Sequence, residues 1–247
     1  VLTETIHGHS VWEWRDPFCF RHDGRVFMLL GGNRMDPKNQ NGSRPCVFLY
    51  EANDRSLESW NYKGVLFDYP NSMLRSIECP CLFRLGGRWI LVVSPYGPVE
   101  WFAGTFDPDS HEHQHFRADS RGRIDCLKNH YASTVLWKET GEVFLLGWVG
   151  GFPRDKGWNG VLALPRKLEF QEGKLLQTPG VDLDPLVAGT WMFPGKAATC
   201  GNIFRARILW GNTPFAIKME ISAGEGTAVE TFQFGSGFVV AAGQTIQ

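Results

Sequence analysis

The chain has 247 residues, with 25 lysines and arginines against 26 aspartates and glutamates and a net charge of −1. This balance gives no electrostatic reason to expect nucleic acid or an anionic membrane surface as a partner. Hydrophobic residues make up 43% of the chain, enough for a folded core, and no apolar run has the length of a membrane span. Residues 1–10 lack the basic and apolar regions of a signal peptide, so the sequence leaves the compartment open.

An internal repeat is the first pattern along the chain. Three segments each consist of a short apolar strand, a glycine turn and a second, more hydrophobic strand: residues 15–32, 78–95 and 130–150. The turn residues Gly24, Gly87 and Gly141 predict hairpins that need a positive φ. Two further strands over 47–67 complete the first unit. Four-stranded antiparallel units that recur in this way are typical of propeller blades.

The remaining segments complete the predicted architecture. Helical periodicity is nearly absent, and the polar stretch 105–123 is expected to be a loop. Residues 157–179 predict two strands of a fourth unit, and alternating apolar and polar residues follow from about 186. We therefore predict an all-β protein with a partial β-propeller over 1–185 and the start of a C-terminal β-sandwich over 186–247. Because a closed propeller has about four to eight blades, the first blade is expected to be missing.

Two carboxylates stand near the start of successive units. Asp16 lies eight residues before the first turn glycine, and Glu78 lies nine residues before the second. The first strand of each blade lines the axis of a propeller, so we expect these carboxylates to converge at one mouth of the channel. Paired carboxylates serve as acid, base and electrostatic groups on a glycosidic bond. The alternative is that both residues only cap turns beside proline.

Three motifs, in order, carry a family resemblance. The chain has W-x-W-R-D-P-x-x-F from Trp12, E-C-P-x-L-F from Glu78 and G-W-x-G-x-L-x-L-P-R-x-L from Gly157. In these motifs it resembles glycoside hydrolase family 32, the group of invertases, inulinases and levanases. The resemblance implies a five-bladed β-propeller followed by a β-sandwich. It also implies retaining hydrolysis or transfer of β-fructofuranosyl units from sucrose, inulin or levan, with no metal or organic cofactor.

The resemblance also implies roles for individual residues. Glu78 would be the general acid/base, and Asp16 would stabilise the transition state by holding fructosyl hydroxyls. Asp125 matches only the first residue of the family's D-Y-G segment, because Cys126 and Leu127 follow it. Core packing is an equally good explanation for two of the aromatic residues, Tyr131 and Trp158. The residues implied to bind substrate are Arg15, Trp14, Asp125, Tyr131 and Trp158.

One departure from the family concerns the nucleophile. The family's attacking aspartate lies in an N-D-P-N-G-type segment well before R-D-P, and this chain has no such segment. Asp36 before Pro37 is the sole echo, and its place in a polar loop after R-D-P argues against that role. We therefore expect either part of a larger enzyme, with the rest of its own chain as a partner, or a protein that no longer hydrolyses sugars. The alternatives are a non-catalytic carbohydrate-binding or regulatory protein and, third, a propeller used for protein contacts.

Histidines and cysteines provide the remaining metal candidates. His111, His113 and His115 alternate as ligands on one strand face would, but their hydrophilic surroundings favour a solvated loop. Cys79 and Cys81 form a single C-x-C, which without a second pair is a weak metal signal. No metal site is predicted.

Overall fold

The computed structural model describes residues 11–125, 128–152, 155, 157–182, 184–186, 216–221, 230–235 and 238–243. The chain divides into two compact units, residues 1–180 and 181–247. The predicted domain boundary after residue 185 stays a prediction. In the part of the chain that is described, no helix is long and apolar enough to cross a bilayer.

Two four-stranded antiparallel sheets begin the first unit. The first sheet contains, in spatial order, β1 (Val11–His22), β2 (Arg25–Met35), β3 (Ser43–Ala52) and β4 (Trp60–Asp68). The second contains β5 (Glu78–Leu85), β6 (Arg88–Ser94), β7 (Glu100–Phe106) and β8 (Phe116–Arg123) in the same arrangement. Each sheet is a meander, because every strand pairs with its neighbour in sequence.

The third sheet overturns the prediction of a fourth unit over residues 157–179. It contains β9 (His130–Trp137), β10 (Val143–Val149), β11 (Val161–Leu162), β12 (Arg166–Gln171) and β13 (Lys174–Pro179). Both β11 and β12 pair with the same edge of β10, so they form one strand that is interrupted around Pro165. Proline supplies no N–H to a ladder, which explains the interruption. Residues 157–179 therefore form the outer part of the third sheet.

The predicted loop over 105–123 was also wrong in part. Residues 107–115 are irregular, but β8 follows and pairs with β7 along its whole length. Only Phe116 of β8 is buried, and the charged residues after it face solvent. An edge strand with a solvated face has little apolar alternation, so its sequence resembles a polar loop.

The second sheet is buried on both faces. Leu82 and Leu91 pack into a core shared with the first sheet, together with Leu29, Leu49 and other apolar residues of that sheet. Their neighbours on β5 and β6, such as Phe83 and Ile90, pack into a second core with the third sheet. Successive strand residues point to opposite faces, which explains the continuous apolar run of β6. The three sheets therefore stack face to face, in an all-β architecture.

Each inner strand carries a bulge at an equivalent place. The pairing register shifts by one residue after Arg15 in β1, after Glu78 in β5 and after Tyr131 in β9. The residue that follows has a positive φ in all three strands: Asp16 (60°), Cys79 (50°) and Ala132 (47°). A bulge bends its strand and redirects the side chains beside it. Since β1 lies beside β5 and β5 beside β9, the three bulges lie in neighbouring strands.

The second unit contains a separate antiparallel sheet with the order β14 (Ala216–Ile221), β15 (Glu230–Gly235) and β16 (Phe238–Gly243). A short 3₁₀ turn lies at Asp184–Leu186. The described strands form no closed ring of sheets. The five-blade count and the C-terminal sandwich therefore stay predictions.

Candidate active site

The three bulges bring three side chains together. Arg15 Nη1 donates a hydrogen bond to Glu78 Oε1 at 3.0 Å, and the Tyr131 hydroxyl donates to Glu78 Oε2 at 2.8 Å. All three residues occupy the position just before the positive-φ residue of their strand. The carboxylate of Glu78 is therefore held between the first and third sheets. Its side chain stays 16% exposed, which leaves it accessible from solvent.

The strand register corrects the predicted equivalence of Asp16 and Glu78. Arg15, not Asp16, is the counterpart of Glu78, and Asp16 is the counterpart of Cys79. Arg15 and Glu78 both lie nine residues before their turn glycine, so a count along the sequence could have found this. The two carboxylates are nevertheless close in the structure, since Asp16 contacts the residue after Glu78.

Asp16 is held by the backbone of the second sheet. Its Oδ2 accepts a hydrogen bond from the Cys79 N–H at 2.9 Å and lies 3.5 Å from the Cys79 thiol. Gly31, the register partner of Arg15, allows this close approach of the two sheets. A Cβ at Gly31 would lie 2.5 Å from the Ile77 carbonyl oxygen, so any other residue would push β5 away.

Several residues that the sequence analysis missed complete this cluster. Glu13 forms ion pairs with both Arg15 and Arg75, so Arg15 lies between two carboxylates. The Tyr96 hydroxyl donates to Glu78 Oε1 at 3.2 Å. These contacts join residues far apart in the chain, and no local pattern announces them. The one available signal is the place of Glu13, two residues before Arg15 inside the W-E-W-R-D-P segment.

Burial is the largest cause of the raised pKa of three groups around Glu78, the hydroxyls of Tyr131 and Tyr96 and the thiol of Cys79. It raises the pKa of the Tyr131 hydroxyl, and the hydrogen bond to Glu78 raises this pKa further. The pKa of Tyr96 is raised for the same reasons, with a contribution from the charge of Glu78. Burial and the charge of Asp16 also raise the pKa of the Cys79 thiol. Both tyrosines therefore remain protonated donors, and Cys79 remains a thiol, around neutral pH.

The structure does not bring the other predicted substrate residues into contact with Glu78. Trp14 packs beside Tyr50, with ring centroids 6.0 Å apart, on a separate cluster of the first sheet. Asp125 accepts a hydrogen bond from Arg166 Nη2 at 2.8 Å. Trp158 is 45% exposed and packs on Phe152, with ring centroids 4.6 Å apart. Their predicted roles in sugar binding stay predictions.

Asp36, the residue that partly resembles the family's nucleophile segment, is bonded within its own turn. Its Oδ2 accepts a hydrogen bond from Arg44 Nε at 2.8 Å, and its Oδ1 accepts one from the Lys38 N–H. The bond from Arg44 is the main cause that lowers the pKa of Asp36. Asp36 thus closes the turn between β2 and β3 through an ion pair.

The three histidines lie in the peripheral loop, residues 107–115, between β7 and β8. His115 is buried, and its ring nitrogens lie 3.1 Å from the Asp107 carbonyl and 3.0 Å from the Lys63 carbonyl. His113 Nε2 lies 2.7 Å from Asp68 Oδ2. Among the described residues, no group of three or more His, Cys, Asp or Glu side chains could hold a metal ion. The loop instead fastens the second sheet to the first.

The decisive comparison is with protein families. The family model described as the glycosyl hydrolases family 32 N-terminal domain matches residues 1–179. The chain belongs to glycosyl hydrolase family 32. This match covers the three stacked sheets and the whole Glu78 cluster, and it confirms the family resemblance seen in the motifs.

Individual relatives agree with this assignment. The chain is 28% identical over 202 residues to a protein named sucrose-6-phosphate hydrolase from Klebsiella pneumoniae, covering 72% of this chain and 40% of that protein. A solved sucrose-6-phosphate hydrolase from Lactobacillus gasseri matches with a TM-score of 0.57 and 25% identity over 67% of this chain and 36% of that one. A Bombyx mori family 32 β-fructofuranosidase, solved with sucrose, matches with a TM-score of 0.59 and 23% identity, covering 73% and 40%. The chain thus spans about two fifths of the length of the curated relatives it matches.

Proposed function

We propose that the chain supplies the acid/base side of an active site that hydrolyses β-fructofuranosides of the sucrose type. The observation that carries the proposal is the placement of Glu78, a partly exposed carboxylate fixed by Arg15 and Tyr131 beside Asp16. The name of the relatives, sucrose-6-phosphate hydrolase, supports this substrate class over a purely binding or regulatory role. Inulin and levan carry the same fructosyl unit and are further candidate substrates.

In the proposed reaction Glu78 acts twice. It first gives a proton to the oxygen of the leaving sugar, and it then takes a proton from the water that releases fructose. A general acid/base needs solvent access together with a fixed orientation. Three hydrogen bonds from Arg15, Tyr96 and Tyr131 supply the orientation.

Asp16 is proposed to hold fructosyl hydroxyls and to stabilise positive charge that develops on the sugar ring. One of its oxygens accepts from the Cys79 N–H, so the carboxylate is oriented before substrate arrives. Hydrogen bonds from sugar hydroxyls to a charged acceptor are stronger than those to a neutral one. Arg15 and Tyr131 would border the same pocket through their contacts with Glu78. Trp14, Asp125 and Trp158 are kept as proposed substrate-binding residues on the family resemblance.

A retaining mechanism also needs a carboxylate nucleophile about 5 to 5.5 Å from the acid/base. We assign this role to no residue of the chain. Glu13 is paired with two arginines and Asp36 with Arg44, so neither offers a free attacking oxygen. The chemistry calls for no metal or organic cofactor, since two carboxylates carry both proton transfer and attack.

Fructose binding tests the pocket without any need for turnover. We expect saturable binding of fructose to the chain in titration calorimetry, and weaker binding in Arg15→Ala. Arg44→Ala, which removes an arginine paired with Asp36 in a turn, is the matched control and should leave binding unchanged. Absence of saturable binding by folded chain would overturn the proposed site.

Fructose release from sucrose tests the role of Glu78 and should be measured on the longest form of the protein that contains this chain. Loss of general acid/base catalysis typically lowers the rate by about 10² to 10⁴-fold, and this is the loss we expect in Glu78→Gln. The substitution keeps the shape of the side chain and one acceptor oxygen for Arg15 and Tyr96, so thermal unfolding should be close to that of the parent. An unchanged rate in Glu78→Gln would remove Glu78 from the mechanism.

A further inference from the structure

Among the described residues, the hydrogen bonds to Glu78 leave one lone-pair position of its carboxylate without a donor. A carboxylate offers about four lone-pair positions, two on each oxygen. On Oε1, both are met by donors, Arg15 Nη1 at 3.0 Å and the Tyr96 hydroxyl at 3.2 Å. On Oε2, the Tyr131 hydroxyl at 2.8 Å meets one. The second lone pair of Oε2 is therefore the place where Glu78 can carry and exchange a proton.

The Tyr131 hydroxyl on that same oxygen has two acceptors for a single proton. It lies 2.8 Å from Glu78 Oε2 and 3.0 Å from the carbonyl oxygen of Ser94, the register partner of Glu78. Its own oxygen accepts a hydrogen bond from the Tyr96 N–H at 3.0 Å, which fixes its position. A phenol carries one hydrogen, so it can serve only one of the two acceptors at a time.

We propose that Tyr131 is a positioning residue whose hydroxyl hydrogen switches between Ser94 and Glu78 as Glu78 changes protonation state. This inference rests on the proposed acid/base role of Glu78. When Glu78 is ionised, the charge-assisted bond to Oε2 is the stronger one, and the hydrogen lies there. When Oε2 carries a proton, it is a weaker acceptor, and the hydrogen turns to the Ser94 carbonyl.

The switch needs no movement of heavy atoms. Glu78 gains or loses one proton at Oε2, while Tyr131 keeps its own proton in both states and only rotates its O–H bond. As Glu78 gives its proton to a leaving group, the Tyr131 hydrogen becomes available to the new charge. Stabilisation of charge where it develops is the form of hydrogen bonding that accelerates a reaction.

Tyr131 differs from the other groups around Glu78 in having a second acceptor for its hydroxyl hydrogen. The charged and titratable groups that face Glu78 are Arg15 from β1, Tyr96 after β6 and Tyr131 from β9, with Glu13, Asp16, Arg75 and Cys79 one contact further away. Arg15 donates to Glu78 in both protonation states of the carboxyl group, because a guanidinium has donors and no acceptor. Within the described part of the chain, Tyr131 is the one member of this group whose side chain has a backbone carbonyl as a second acceptor.

The Ser94 carbonyl offers a direct readout. Ser94 is the only serine followed by proline in the chain, so labelling serine carbonyl carbons and proline nitrogens gives a single carbon-detected NMR signal for the Ser94–Pro95 bond. Labelled glutamate side chains report the protonation of Glu78, assigned by the signal that Glu78→Gln lacks. We expect the Ser94 carbonyl carbon to move downfield as Glu78 takes up a proton, with the same midpoint.

Two variants decide the inference. Tyr131→Phe removes the hydroxyl alone and should abolish the response of Ser94, while Tyr96→Phe removes a donor to the other oxygen and should retain it. A Ser94 signal that ignores the titration of Glu78, or that responds equally in Tyr131→Phe, overturns the switch. Loss of the Ser94 response in both Tyr131→Phe and Tyr96→Phe also overturns the switch. Failure of the proposed function is read separately, as unchanged fructose release in Glu78→Gln.

Discussion

The Glu78 cluster and the peripheral loop are both rich in charged residues. They differ in how completely their polar groups are paired in hydrogen bonds and ion pairs. In the loop, both carboxylate oxygens of Asp109 accept hydrogen bonds from Arg25, and Lys63 pairs with the same carboxylate. In the Glu78 cluster, the carboxylate keeps one lone pair without a donor among the described residues, and Arg15, Glu78 and Tyr131 each precede a residue with positive φ. Groups whose partners are complete stabilise the fold, while strained, incompletely paired groups are typical of functional sites. The predictions below test this division.

The sharpest test is to remove the charge of Asp16 without disturbing its backbone. Asn tolerates a positive φ and keeps an oxygen for the Cys79 N–H, so Asp16→Asn should fold as the parent does. Hydrogen bonds to charged groups are worth about 1.5–3 kcal/mol, so fructose binding should weaken by about 10 to 100-fold. Calorimetric titration and urea unfolding measure the two effects.

Asp16→Ala is the companion variant. It removes the acceptor of the Cys79 N–H as well as the charge. It also places alanine in the left-handed region, which lowers the free energy of unfolding by about 1–2 kcal/mol. If Asp16→Asn were as destabilised as Asp16→Ala, the charge of Asp16 would stabilise the fold. The proposed difference in role between the Glu78 cluster and the peripheral loop would then be wrong.

The peripheral loop should show the opposite behaviour. His115→Ala removes a buried imidazole that lies beside the carbonyl oxygens of Asp107 and Lys63, which costs about 1–3 kcal/mol of unfolding free energy. Fructose affinity should not change. His111→Ala, in an exposed position of the same loop, should alter stability by less than about 0.5 kcal/mol. Weaker fructose binding in His115→Ala would contradict the division.

A smaller effect is expected from acid. The hydrogen bond from Arg25 lowers the pKa of Asp109 from 3.8 to about 2. Because the folded state binds this proton less readily than the unfolded state, the contribution of Asp109 is present above about pH 4 and is lost as the pH falls towards about 2. The difference in unfolding free energy between the parent and Asp109→Asn should therefore narrow over that interval. A constant difference would show that Asp109 contributes nothing through its charge.

Sequence patterns predicted the repeat well, because its signals are local. Gly24, Gly87 and Gly141 adopt positive φ as the hairpin prediction required, and each turns between two strands of one sheet. The outer strands were harder to predict. The strand β8 presents charged residues to solvent and was assigned to a loop. The hairpin of β12 and β13 was assigned to a separate unit, although β12 pairs with β10 of the third sheet.

The sequence predicted which residues form the site, but it did not predict which of them contact each other. Glu78, Asp16, Arg15 and Tyr131 were all candidates, but the equivalence of Arg15 and Glu78 depends on where a bulge inserts a residue. Alternation cannot reveal a bulge, because one extra residue reverses the side-chain directions beyond it. Partners such as Tyr96 come from loops whose path the strand pattern does not determine.

The outermost strand of the second sheet has a consequence for how copies of the protein meet. An unpaired strand edge offers its backbone to any similar strand, which is a route to aggregation. Along β8, Arg117, Arg121 and Arg123 are exposed around a single acid, Asp119. Two such edges carry the same sign of charge and repel each other, over a range that shrinks to about 8 Å at physiological ionic strength. Colloidal stability through this edge should therefore decline as salt is added.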